Sequence, residues 1–482
     1  MSPKKKRGGT SAKYDNFSEE FDGDDVVEIP MATVIVNRAD KRSNTSNLQK
    51  KSSFQESNNV NDGNLDVNSY DFDNGSVDLH SIGSSKASKK KTSVLSPGNK
   101  WDPSSPSAQK YPKNTSSMEE TGEQIGSKDV RNWPAKLKEQ IVRSLKKPPN
   151  EERANIFFDK YDWPIGLREA VFKSCRKAAM RFYIIDDSGS MMTNDGKRVV
   201  RNEKGVCKIV KCTRWSELSG TIAFLAEMSE NLEVPSQFQM LNGADPVIVG
   251  LQNDNGESLQ FLNEALNESP AGATPLCSHI NSIVAEITSI ADVLRKNGQK
   301  VSVIIATDGE SSDGNVAKAL QPLTNLPVLV VLRLCTNQKE VIDYWDSIDG
   351  QLELDIDVLD DQIGDGEQVL KKNGWLTYGE PIHRMREFGS SLKEFDIIDE
   401  TLVSSEQMRA ICAVLFLGGK TAGLPHPGAD WALFVEKIKE LNNKHSKVFC
   451  ANTAVMKHWV DIQKLIKIYA KENNGSTACV IT

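Results

Sequence analysis

No Cys-x-x-Cys pair occurs in this chain of 482 residues, although it carries 8 cysteines. That absence removes the usual spacings of structural zinc sites and thioredoxin-type redox pairs. The cysteines Cys175, Cys207, Cys212, Cys277, Cys335, Cys412, Cys450 and Cys479 mostly sit in apolar runs, where a reduced, buried thiol is the expected state. No apolar run approaches the roughly 20 residues of a bilayer-spanning helix. The longest, Ala410 to Leu417, is far shorter. No Gly-x-x-x-x-Gly-Lys-Ser loop is present to cradle a nucleotide phosphate. An excess of basic charge is missing too. The formal net charge is -7, so no nucleic-acid partner is expected. The opening residues Met1-Ser-Pro-Lys-Lys-Lys-Arg7 lack the apolar core of a secretory signal. With the unpaired thiols, this points to a reducing, intracellular compartment.

Hydrophobic residues make up 38% of the chain, and the deficit lies mostly in the N-terminal part. Residues 1–128 are rich in Ser, Asn, Asp, Lys and Gly and show no sustained period. Such a segment cannot offset the entropy of ordering its backbone, so a disordered tail is expected there, the short apolar piece Val26 to Val36 included. Residues 129–177 form a helical lead-in. Leu137, Ile141 and Leu145 recur at helical spacing before Pro148-Pro149, and a second helical stretch runs from Asn150 towards Ala179, interrupted near Pro164.

Residues 178–370 alternate strands with helices. Strands are expected at Arg181 to Ile185, Phe238 to Leu241, Val247 to Leu251, Val301 to Ala306, Val328 to Leu334 and Leu352 to Leu359. Trp215 to Leu232 carries Leu218, Ile222, Leu225 and Met228 on one helical face. The helix after Thr274 carries Leu276, Ile280, Ile283, Ile287 and Ile290, with Gly298 placed to end it. This pattern predicts an α/β domain: a doubly wound, mainly parallel sheet with helices on both faces. Ligands of such sheets collect beyond the carboxyl ends of the strands. Residues 380–475 turn helical again, broken near Gly418-Gly419 and Pro425-His426-Pro427, and read as a helical appendage. Residues 476–482 read as a flexible C-terminal tail.

One stretch carries chemistry. The apolar run ending in Ile184-Ile185 is followed by Asp186-Asp187-Ser188-Gly189-Ser190, which sets hard oxygen ligands at the carboxyl end of a strand. Gly272-Ala-Thr274-Pro-Leu276 supplies another hydroxyl ahead of a helix, where Thr274 and Pro275 fit an N-cap and first helical position. Ile304-Ile-Ala-Thr307-Asp308-Gly-Glu310 supplies a second strand-end carboxylate. The pattern Asp-x-Ser-x-Ser, then a loop Thr, then a strand-end Asp, resembles the metal-ion-dependent adhesion site of von Willebrand factor type A domains.

The resemblance covers about residues 178 to 360 and implies roles. Ser188, Ser190 and Thr274 would bind a cation through their hydroxyls, with Asp186 and Asp308 acting largely through bound waters. Few direct carboxylates and small hydroxyls favour Mg²⁺, with Mn²⁺ or Ca²⁺ as substitutes. An open position would accept an Asp or Glu from a protein partner, so the expected activity is binding and no catalytic residue is assigned. The connection from Met191 to Arg214 is longer than in the family. Lys197, Arg198, Arg201, Lys204, Lys208 and Lys211 lie on what reads as a hairpin around Asn202-Glu-Lys-Gly205, and would steer an acidic partner.

The remaining signals are weaker. His279, in the helix after Thr274, reads as a packing residue with a metal-assisted base as the alternative, which would make the chain a hydrolase or phosphotransferase. His383, His426, His445 and His458 form no metal-spaced set, and Asp355, Asp357, Asp360, Asp361 and Asp365 lack the glycine and distal glutamate of a calcium loop. Cys479-Val480-Ile481-Thr482 has the form of a prenylation box with an atypical last residue. One lipid there would give weak membrane association and a lipid-tethered scaffold that needs no metal. Lys4 to Arg7 looks like a nuclear import signal. The cytoplasm is the expected location, with the nucleus as the alternative.

Overall fold

The computed structural model describes residues 133–474, except 203, 204, 244, 253, 353, 355 and 391. The expected disordered tail 1–128, the piece Val26 to Val36, the basic run Lys4 to Arg7, Lys204, and the end 476–482 with Cys479 all lie outside the described residues.

Asn150 accepts a hydrogen bond from the Arg153 amide and so starts the second of three lead-in helices, α1 (Ala135–Ser144), α2 (Glu151–Lys160) and α3 (Ile165–Lys177). Then comes β1 (Ala178–Ile185), buried along its whole length. Its alternate side chains serve two cores. Tyr183 and Ile185 enter one, and Met180, Phe182 and Ile184 enter the other. A strand with two apolar faces must be covered on both sides. A hairpin of β2 (Gly196–Arg201) and β3 (Cys207–Cys212) follows, then α4 (Arg214–Leu232), β4 (Ser236–Met240), β5 (Val247–Val249), α5 (Glu257–Leu266) and α6 (Leu276–Asn297). Gly298 ends α6 in the left-handed conformation expected of it, at φ 64°. The chain continues through β6 (Lys300–Thr307), α7 (Val316–Leu320), β7 (Val328–Leu334), α8 (Lys339–Gln351) and β8 (Ile356–Leu359).

The six-stranded sheet has the order β5-β4-β1-β6-β7-β8. All neighbours are parallel except β4 and β5. The short link between β4 and β5 forces that exception, because a parallel return needs a crossover of a dozen or more residues. Helices α1, α6, α7 and α8 cover one face. Helices α2 to α5 contribute to the other. The fold is thus the doubly wound, mainly parallel α/β arrangement expected. Helix α5, with Leu262 and Leu266 buried, was not among the sequence expectations.

The C-terminal part departs from expectation more. It contains α9 (Gln362–Asn373), α10 (Glu380–Glu387), α11 (Ser405–Leu417), α12 (Trp431–Asn443), a hairpin of β9 (Val448–Cys450) and β10 (Val455–Lys457), and α13 (Ile462–Asn474). It is no appendage. Met385, Phe388, Ile411 and Phe434 share one core with Tyr183, Ile185 and Ala306 of the sheet. Buried Arg181 on β1 donates from Nε to the Phe388 carbonyl at 3.2 Å, and its guanidinium lies 4.0 Å from the Phe388 ring centroid. Ser302 on β6 donates to the Gly389 carbonyl at 2.8 Å. Gly166 of α3 meets α11 backbone to backbone, since a Cβ there would fall 2.4 Å from the Leu417 amide nitrogen. Among the described residues the cysteines are unpaired, and no helix is long and apolar enough to cross a membrane.

One buried chain of polar groups gives a pH test. Trp133 Nε1 donates to Gln237 Oε1 at 2.8 Å, and Gln237 Nε2 donates to Glu286 Oε2 at 2.7 Å. Burial pushes the Glu286 carboxyl from 4.5 up to about 7, against the opposing Gln237 hydrogen bond. The unfolded chain ionises first, so this group lowers stability as pH rises from 4.5 through 7. Glu286→Gln should therefore raise the melting temperature at pH 8, by up to about 3 kcal/mol of stability, and leave it unchanged near pH 4. Equal melting shifts at both pH values would contradict this.

Candidate metal centre

Strands β1 and β6 are neighbours in the sheet, so the loops leaving their carboxyl ends meet. Asp186, the first residue beyond β1, is fully buried and both its oxygens are taken. Oδ1 accepts from the Ser188 amide at 2.9 Å, and Oδ2 accepts from Thr307 Oγ1 at 2.6 Å. Burial raises the Asp186 carboxyl above the ordinary range, opposed by these hydrogen bonds from Ser188 and Thr307. Its carboxylate thus holds the loop in shape. A short 3-10 turn at Gly189–Met192 then aims the serines. Ser188 Oγ lies 3.0 Å from Ser190 Oγ, and Ser190 Oγ donates to Asp308 Oδ1 at 2.7 Å.

The loop that carries Thr274 is tied by backbone bonds to the segments that follow β1 and β6. The Ser312 amide donates to the Thr274 carbonyl at 2.8 Å, and the Gly189 amide donates to the Gly272 carbonyl at 3.3 Å. Asn242 ties this loop to β1: its Nδ2 donates to the Ala273 carbonyl at 2.8 Å and to Asp187 Oδ1 at 3.0 Å. Gly272 is required where it stands. Its φ is +99°, and a Cβ would fall 2.4 Å from Asn242 Oδ1. The expected N-cap role of Thr274 is not what the chain adopts. Pro275 holds the cap position of α6 without a side-chain bond, and Asp313 accepts from the Cys277 and Ser278 amides at 2.9 Å each. Burial would raise the Asp313 carboxyl, but hydrogen bonds from Ser311 and the two amides outweigh it and hold the group below its usual range. Asp313 lies 36 residues from Cys277, so no local pattern announces it. With capping done elsewhere, the Thr274 hydroxyl is not committed to the helix.

The oxygens fit a small hard cation in chemistry and spacing. Neighbouring ligands around an octahedral Mg²⁺ at 2.0–2.1 Å stand about 3 Å apart, close to the 3.0 Å between Ser188 Oγ and Ser190 Oγ. Among the described residues no group of three or more His, Cys, Asp and Glu side chains is arranged to hold a metal, so such a site would depend on the hydroxyls.

Sequence reasoning missed one participant. Arg214, with 3% of its side chain exposed, donates from Nη1 to Asp308 Oδ2 at 2.8 Å, and from Nε and Nη2 to Asp195 at 2.8 and 2.6 Å. It had read as one more basic residue of the connection. Asp195 is held below the usual carboxylate range, first by its hydrogen bond to Arg214. His279 Nε2 lies 3.0 Å from the Leu241 carbonyl, a tie between α6 and the end of β4.

The basic hairpin is present, but its charges do not form one patch. In register, Lys197 faces Lys211 and Arg201 faces Cys207, on the side that carries Val199 and Ile209. Arg198 and Lys208 lie on the other side. Val199, Cys207 and Ile209 pack against Ile363, Phe449 and Ala451, so the hairpin is seated rather than free. Only the base of the hairpin, with Lys197 and Lys211, adjoins Asp195 and Arg214 in the chain; Arg201 is near the tip and pairs with Asp162 at 3.1 Å.

The sequence matches no family model and no curated protein. Solved structures similar to it include the pilus adhesin SpaC from Lactobacillus rhamnosus GG, at 12% identity over 38% of this chain, with a TM-score of 0.27. This chain spans 28% of that adhesin's length. An aerotolerance-related membrane protein from Bacteroides fragilis NCTC 9343 matches at 15% identity over 38% of this chain and 92% of its own, with a TM-score of 0.26. The conserved hypothetical protein BatB from Bacteroides thetaiotaomicron matches at 14% identity over 44% of this chain and all of its own, also at 0.26. Similarity at this level has no bearing on the site.

Asp313 gives a direct test of how the Thr274 loop is held. Asp313→Ala leaves two helix-start amides without their acceptor, and should lower stability by about 1–2 kcal/mol in urea unfolding. An unchanged midpoint would show that the cap is dispensable.

Proposed function

We propose that this chain is a non-catalytic protein-binding module of the von Willebrand type A kind, which captures an acidic residue of a partner through a divalent cation. The observation that carries this reading is the meeting of Ser188, Ser190 and Asp308 oxygens at 3.0 and 2.7 Å beyond the ends of two parallel strands. Ser188, Ser190 and the loop residue Thr274 would hold the cation through hydroxyls. Asp308 would face it through water, and Asp186, with both oxygens engaged by Ser188 and Thr307, would keep the serine loop in place. Mg²⁺ suits this donor set best, with Mn²⁺ or Ca²⁺ as substitutes. When bound, the cation would offer an open position to a carboxylate from outside.

The surroundings suit a protein surface. Met192 is 50% exposed next to the serine turn, while Met191 is buried beneath it. An apolar contact of this kind adds area to a charge-directed encounter. Lys197 and Lys211, exposed and directly opposed at the hairpin base, give the approach positive charge. Like charges facing each other across a ladder cost stability in isolation, and an acidic partner would relieve that cost.

Thr274→Ala is the cleanest test, because Asp186 also supports the fold. The variant should bind Mg²⁺ at least about ten-fold more weakly in calorimetry, and should lose partner capture while its circular dichroism stays unchanged. Capture that persists in wild type under chelator would contradict the reading.

A further inference from the structure

Both Asp308 oxygens carry a hydrogen bond. Oδ1 accepts from Ser190 Oγ at 2.7 Å and Oδ2 accepts from Arg214 Nη1 at 2.8 Å. The guanidinium is itself fixed. The Arg214 amide donates to the Thr193 carbonyl at 3.0 Å, Thr213 caps α4 just ahead of it, and Asp195 takes Nε and Nη2. Asp195 stands half in solvent, with 50% of its side chain exposed. One buried cation thus bridges an outer carboxylate and the inner carboxylate of the candidate centre. A cleft of about 130 Å³ also opens beside Arg214, lined by Asp195, Glu217, Asp360 and Asp361. Arg333 lines the same cleft and pairs with Glu217 at 2.7 Å, so Asp195 is the carboxylate that holds the guanidinium independently of Asp308.

A fixed positive charge against Asp308 opposes a second cation at the same carboxylate. Removing it outright would leave Asp308 buried and uncompensated, which is costly in the absence of a replacement. We propose that Arg214 is the resident counter-ion of this centre and sets its affinity for divalent cations. It neutralises Asp308 when no metal is bound, and stays on Asp195 when Asp308 turns to the cation. This rests on the reading that Ser188, Ser190 and Asp308 belong to a cation site. Asp195 then acts as a second control, because it draws the guanidinium away from Asp308. Neither residue is needed to touch the metal.

The test is Mg²⁺ calorimetry on the full chain, with melting curves in chelator and in Mg²⁺. Arg214→Gln should bind Mg²⁺ about ten-fold tighter than wild type. Its melting temperature should fall in chelator and recover with Mg²⁺, giving a larger metal-dependent shift than wild type. Asp195→Asn should bind about ten-fold more weakly, since the guanidinium then rests on Asp308 alone. If Arg214→Gln does not fold, Arg214→Lys serves, because one ammonium cannot span both carboxylates as the planar fork does; it should also bind tighter than wild type. Equal or weaker binding by the folded Arg214 variants overturns the proposal and leaves the cation reading intact. Failure of wild type and every variant to bind millimolar Mg²⁺ overturns both.

Discussion

Ser190 donates to Asp308 across the ends of two neighbouring parallel strands, joining residues 118 positions apart at 2.7 Å. The proposed function depends on that closure. A parallel pair has both carboxyl ends on the same edge, so a hydroxyl after β1 and a carboxylate after β6 can meet only if the two strands are adjacent and in register. They are: Ile185 pairs with Ala306, and the Asp186 amide continues the ladder to the Ala306 carbonyl at 2.9 Å. The loop before α6 is then brought in by Asn242 and by the Ser312 amide. The site is therefore a property of the sheet edge, assembled by backbone geometry before any side chain reaches for a ligand.

A cluster of buried charges joins the sheet to the C-terminal helices. Arg333 on β7 donates to Glu387 of α10 at 3.0 Å and to Glu217 of α4 at 2.7 Å. Arg384 donates to Glu387 at 2.8 Å. His383 lies between Asp365 and Glu387, at 3.4 and 3.1 Å. Burial would lower its pKa, but Glu387 and Asp365 outweigh that and hold it up at about 9, so the imidazole is charged at neutral pH. Pairs buried this deeply add little net stability over an apolar core, yet breaking one is expensive. They join β7 and α4 of the sheet domain to α10.

The sequence was most legible where apolar period and position agree. β6, β7, α4 and α6 fall close to where Val301 to Ala306, Val328 to Leu334, Trp215 to Leu232 and the helix after Thr274 predicted them. The serines and Asp308 could be grouped because their pattern resembles a known metal-site motif, and the structure sets them within hydrogen-bonding distance. What stayed hidden were long-range decisions. Helix α6 is capped by Asp313 rather than Thr274, through contacts 36 residues away. Arg214 stands in the sequence only as the end of the long connection, and nothing local announces that it joins Asp195 to Asp308. The C-terminal helices looked independent because their burial is against residues far earlier in the chain, as Arg181 and Phe388, 207 positions apart, show. Periodicity reports that a helix has an apolar face; it does not say which core receives it.

Anomalous scattering from crystals grown in Mn²⁺ tests the central claim most directly, because it locates the ion without reference to any partner. The account predicts a single strong peak with the Ser188 and Ser190 hydroxyls and Thr274 at about 2.0–2.3 Å, and Asp308 one water further out. A peak elsewhere, such as among Asp195, Glu217, Asp360 and Asp361, or no peak beside the serines at saturating Mn²⁺, would contradict it.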